Sequence, residues 1–194
     1  MKKFVLCTLL LFMPLVSFAE NVPNMPDDAD TWKYYIAADM GLFLSEVDIH
    51  DDSFVDFGVS GALEFGVRYN RWRLGLAFKD SVEVSGAFQA LFGHTVGIEN
   101  KSLRLNGYYD YVSRKSFAMY IGAGLGANHY DYEIKEQYNG RDEHKRGFAL
   151  VAGANTGMSF GGGHMRFDIG FGVDYIAFPN VLSYGPTVGL RYNF

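Results

Sequence analysis

The stretch HMRFDIGFGVDYIAF, from His164 to Phe178, sets apolar side chains at the odd positions and polar or small ones at the even positions as far as Tyr175. A period of two belongs to a β-strand with two unlike faces, because successive side chains point to opposite sides. The same alternation recurs in Trp32–Phe43, Ala62–Asn70, Trp72–Phe78, Ser102–Tyr111, Phe117–Asn128, more weakly in Phe148–Met158, and in Thr187–Phe194. A chain built this way is all-β. What remains open at this level is which face meets water. In a soluble sheet the apolar face is the core, and in a membrane barrel it faces lipid.

The connections help to decide. Asn70-Arg71, Val112–Ser116 and Phe160–Gly163 are short; Ser45–Asp56, Lys79–Thr95 and Asp131–Arg146 are long; and Phe178–Leu182 is a modest fourth loop on the long side. About eight strands of roughly ten residues, with short turns on one rim and long loops on the other, match the smallest common membrane barrel. The faces agree. A solvated outer face would be rich in Lys, Glu, Gln and Thr. Here the polar face carries Gly, Ala, Asn and Tyr with isolated charges, as expected of a narrow interior. Trp32, Tyr34, Tyr69, Trp72, Tyr109, Tyr111, Tyr192 and Phe194 cluster toward the short-turn rim, as an interfacial girdle does. The expectation is an eight-stranded antiparallel up-and-down transmembrane β-barrel with its polar face inside.

The charges assigned to that interior are nearly balanced. Lys33, Arg68, Arg73, Arg104, Arg166 and Arg191 are positive, and Asp39, Glu64, Asp110, Asp168 and Asp174 are negative. Unpaired charges in a water-poor lumen are costly, so these are expected to pair into a network that plugs it, in preference to lining an ion path.

Residues 1–19 read as a secretory signal peptide, with Lys2 and Lys3, an apolar stretch from Phe4 to Val16, and the small residues Ser17 and Ala19 at the two positions read for cleavage after Ala19. Residues 20–31 read as a flexible periplasmic leader, and 32–194 as the barrel. Cys7, the one cysteine of the chain, falls in the signal peptide, so disulfides and thiol catalysis are not expected in the mature protein. A net charge of -5 argues against nucleic acid as a partner.

With these residues in view, the chain resembles the small outer-membrane barrels of Gram-negative bacteria. The likeness is greatest to the opacity-protein and surface-antigen family, whose barrel is like the transmembrane domain of OmpA. It rests on SLRLNGYYDY (Ser102–Tyr111), YIGAGLGANHYDY (Tyr120–Tyr132) and VGLRYNF (Val188–Phe194). The resemblance implies an outer-membrane location, with lipid and lipopolysaccharide around the wall. It also implies that Tyr192 and Phe194 form the signal read by the assembly machinery. Loops in that family meet host or neighbouring surfaces as adhesins or immune targets.

Three loops are candidates for such contacts. SEVDIHDDSFVD holds Asp48, Asp51 and Asp52 among other acids and reads as a solvated acidic loop, since its spacing fits no calcium loop. DSVEVSGAFQALFGH is apolar for a loop, with Phe88, Leu91 and Phe92 forming either a binding patch or the packed ends of extended strands. DYEIKEQYNGRDEHKR reads as strand extensions capped by Asn139-Gly140, with Tyr130, Tyr132 and Tyr138 offering contact area. No Ser–His–acid set lies together in sequence around His50, His94, His129, His144 or His164, so neither catalysis nor a cofactor or metal is expected. The expected function is that of a monomeric surface protein acting through its loops. A small passive porin-like channel, a lipid-modifying barrel enzyme and a soluble secreted barrel are the alternatives.

Overall fold

The computed structural model describes residues 31–49, 52–83, 94–136, 142–177 and 180–194. The signal-peptide and leader readings for residues 1–30 lie outside the described residues. Eight strands follow in chain order: β1 (Lys33–Ile49), β2 (Asp52–Tyr69), β3 (Trp72–Glu83), β4 (His94–Ser113), β5 (Phe117–Glu136), β6 (Asp142–Phe160), β7 (Met165–Ile176) and β8 (Val181–Asn193). Each pairs antiparallel with the next, and β1 pairs with β8, so the sheet closes into a barrel. Closure leaves no strand edge in the hydrocarbon, where an unpaired backbone group has no water to turn to.

The alternation resolves as lipid outside and polar inside. Met40, Leu63, Phe65, Leu76, Leu103, Ile121, Ile169 and Leu190 all point outward, and Leu125 is 70% exposed. Tyr35, Glu64, Arg73, Asp110 and Arg191 point inward and are buried. A soluble barrel would reverse these two sets. The crowded interior explains the small residues. A Cβ at Gly126 would meet the backbone of Leu103 and Arg104, and one at Gly122 would meet the Tyr108 ring.

Chain reversals on the short-turn side use left-handed backbone. Asn70 has φ 54°, and the 161–164 turn holds Gly161 at φ 114° and Gly163 at φ 65°. Aromatic pairs ring this rim. Ring centroids lie 5.0 Å apart for Trp32–Tyr69, 4.8 Å for Trp72–Tyr109, 5.4 Å for Phe117–Phe160 and 5.1 Å for Tyr192–Phe194.

At the other rim the structure corrects the sequence reading. What reads as the long loop Ser45–Asp56 is mostly strand, with Asp48 opposite Ser53 and Ile49 opposite Asp52. Asp51 lies outside the described residues. Lys79 is also in a strand, not a loop, opposite Ala62 and Ser102. The ladder of β5 and β6 runs on to Lys135 opposite Asp142. Above the lipid both faces of a strand are wet, so polar residues at both parities erase the alternation without ending the strand. Phe88, Leu91, Phe92 and Tyr138 lie outside the described residues.

Candidate functional site

Two regions can carry function, the lumen and the extracellular rim. The lumen is organised in layers along the barrel axis. Nearest the short turns, Asp110 accepts from Arg73 at 3.0 Å, and Arg68 stands 3.8 Å away. The Arg73 guanidinium lies between two rings, 4.5 Å from the centre of Tyr108 and 4.8 Å from that of Tyr120. Planar, weakly hydrated guanidinium suits such a sandwich, where an ammonium would lose more hydration. Arg191 donates to Ser159 Oγ at 2.8 Å and to Asp168 at 3.2 Å. Arg166 is buried beside this cluster on β7.

Glu64 is held by neutral donors. Tyr35 donates its hydroxyl to one carboxylate oxygen at 2.6 Å, and Asn106 and Tyr108 donate to the other at 2.6 and 2.8 Å. Three donors from two strands satisfy a buried carboxylate without a cation. Above it lies a cavity of about 110 Å³, lined in part by Asp39, Asn155, Asp168 and Thr187. Asp39 presents its carboxylate to this space against Gly189. A cavity this size, lined by polar groups, has room for several waters.

The next layer closes the cavity. Asp174 accepts from Lys79 at 2.7 Å and from Arg104, which also donates to Ser102 at 2.9 Å. Farther up, Asn128 donates to Asn100 at 2.9 Å, and Phe43, Tyr130, Val151, Ile176 and Val181 are buried around them.

Of the charges given to the lumen from sequence, Lys33 is the exception. It is exposed at the short-turn mouth, opposite Arg68 in the last register position of β1 and β2, where a long side chain reaches water. A lysine not counted among those charges, Lys79, does stand in the lumen, at the level of Asp174. Sequence reasoning missed Lys79 because alternation fades after Phe78 and because its partner Asp174 is 95 positions away. Tyr130, read as a contact residue, is buried inside the barrel.

Among the described histidines, His129 packs on Phe148, His144 meets Asp131 at 2.6 Å, and His164 Nδ1 lies 2.7 Å from the carbonyl of Asn193. His129, Asp131 and His144 belong to the outer wall above the lipid. They share that level with Lys101, which sits 3.5 Å from Glu99, and with Arg146.

The rim is uneven. The β7–β8 hairpin ends low, at Ile176 opposite Val181, whereas β4, β5 and β6 continue together well past it. On the β7 side, the ladder of β6 stops at Val151 opposite Ile176, with one further bond from Ala177 N–H to the Leu150 carbonyl.

The chain matches the outer membrane protein beta-barrel domain family over residues 6–194. It belongs to that family. This outer-membrane barrel is therefore a protein of the Gram-negative outer membrane. Its fold is similar to that of Neisserial surface protein A, with a TM-score of 0.65 and 19% identity over 85% of this chain and 100% of the other. It is also similar to Ail, the attachment invasion locus protein of Yersinia pestis, with a TM-score of 0.55 and 18% identity over 82% and 98%. A major outer membrane protein from Thermus thermophilus matches with a TM-score of 0.57 and 12% identity over 84% and 100%. No curated relative matches by sequence. These likenesses concern the fold of the outer-membrane barrel and leave its ligands to its own residues.

Proposed function

We propose that this outer-membrane barrel is a surface-contact protein with a plugged lumen, acting through the strands that project beyond the membrane. The carrying observation is the length of β5, which spans 20 residues from Phe117 to Glu136. A transmembrane strand needs about 9–11 residues, so close to half of β5 stands outside the lipid. With β4 and β6 it forms a projecting wall, a rigid scaffold for contact with a host or neighbouring surface. The layered ion pairs support the plug, because each charge would have to lose its partner before an ion passed. Partners consistent with this reading are lipopolysaccharide around the outer wall near Lys101 and Arg146, and the assembly machinery at Tyr192 and Phe194. In its own membrane the barrel is a monomer.

Two measurements test it. In a planar bilayer the refolded protein gives no steady conductance. Steady conductance altered by Arg104→Ala or Asp168→Ala makes it a small channel instead. Cells displaying the barrel attach to an epithelial monolayer, and replacing residues 132–145 with a two-residue turn abolishes attachment while leaving a heat-modifiable barrel. Equal attachment after trimming overturns the reading.

A further inference from the structure

The free edge of β6 carries a charge pattern that fits a second copy of itself. Residues 142–149 of this strand pair with β5 on one side and with no described strand on the other. Such an edge presents a row of backbone donors and acceptors that another strand can complete. Proteins often guard edges with charge, and scattered like charges would repel a second copy. The order here is different: Asp142, Glu143, His144, Lys145, Arg146.

Consider two such strands lying antiparallel with His144 opposite His144. Asp142 then faces Arg146 of the other copy, and Glu143 faces Lys145, each pair twice. Directly opposed residues share a face and bring their Cβ atoms to within about 4.5–5.5 Å, so opposite charges stabilise the pairing and like charges oppose it. Moving the centre to Glu143 or Lys145 sets a like-charged pair at the centre. The sequence thus selects one register of self-pairing.

The membrane then dictates where the second copy sits. Strands of such barrels tilt by about 35–45°, so two copies in one membrane, related by an axis along its normal, cross their β6 strands at roughly 70–90°. That excludes an antiparallel ladder. A two-fold axis lying between two facing membranes turns one strand antiparallel onto the other. From Leu150 of one copy to Leu150 of the other, this pairing spans a gap of about 30 Å at ~3.3 Å per residue. We infer that the β6 edge, Asp142 to Arg146, docks on the same edge of a copy in an opposing membrane, joining two cells. This rests on the surface-contact reading and names a second copy of the protein as one of the partners that the projecting wall meets.

The test uses the full chain refolded into phosphatidylcholine vesicles, with clustering read by light scattering. Wild-type vesicles cluster. Lys145→Glu with Arg146→Glu makes the edge wholly acidic around His144, and Asp142→Lys with Glu143→Lys makes it wholly basic. Each double variant alone loses clustering, and mixing the two vesicle populations restores it. His144→Cys cross-links between vesicles on oxidation, because position 144 opposes itself within disulfide reach. Phe148→Cys does not, since two copies of position 148 lie about 27 Å apart in this register. Retained heat-modifiability shows that each variant is folded. Wild-type vesicles that stay dispersed, either double variant clustering alone like the wild type, or equal cross-linking at 144 and 148 overturns the inference. Attachment to epithelial cells, measured separately, distinguishes failure of self-pairing from failure of the broader contact role.

Discussion

Ile169→Arg tests the inside-out assignment most directly. Ile169 faces outward on β7, pairs with Met158 and Val188, and is 39% exposed. Each residue of a strand climbs about 2.5 Å along the membrane normal, from a rise of ~3.3 Å and a tilt of 35–45°. The outward set Met165, Phe167, Ile169, Phe171, Val173 and Tyr175 therefore covers about 25 Å, the height of the apolar band of such barrels. Ile169 sits about 10 Å up from Met165, within ~3 Å of the midplane. An arginine there costs about 2–4 kcal/mol, and at the interface about 0–1 kcal/mol. The midplane variant should thus shift the folding equilibrium by about 30- to 700-fold, and Met165→Arg by far less. The assay is urea unfolding and refolding in vesicles, read by the gel shift between folded and boiled forms. Equal stability of the two variants, or a neutral Ile169→Arg, would refute the lipid-facing assignment, since a water-facing arginine would be tolerated at both depths.

Two further outcomes are expected. Gly126→Ala destabilises the barrel by about 1–3 kcal/mol, because its Cβ meets the backbone of β4, whereas Gly172→Ala has open space and stays within ~0.5 kcal/mol; the same unfolding assay ranks them. Arg73→Met costs about 3–5 kcal/mol by leaving Asp110 without its nearer cation, and adding Asp110→Asn recovers part of that, so a double-mutant cycle returns coupling rather than additivity.

Within the membrane, the fold was legible because each strand face has a single environment. Phe167 and Ile169 meet lipid, Arg166 and Asp168 meet the lumen, and the period of two survives. Above the membrane that condition fails. Glu46 and Asp48 continue β1 into water, where neither face selects against charge, and the strand reads as a loop. The lumen was legible by parity but not by partner. Parity puts Asp110 and Arg73 on one surface, yet it cannot say that Glu64 is served by Tyr35, Asn106 and Tyr108 and not by an arginine. Lys33 shows the limit at the other end, since the right parity at the mouth still leaves a lysine in water.

The outward apolar belt has a consequence for the kinetics and strength of contact. A soluble protein meeting a partner surrenders all its rotational freedom, and that loss opposes association. A barrel seated by its belt and its aromatic ring is already upright, free only to slide and to spin about one axis. Contact between two membranes then gives up less freedom per molecule, and many barrels on each surface act at once with a high effective concentration. An edge too short to hold two isolated molecules together is, on a populated surface, long enough.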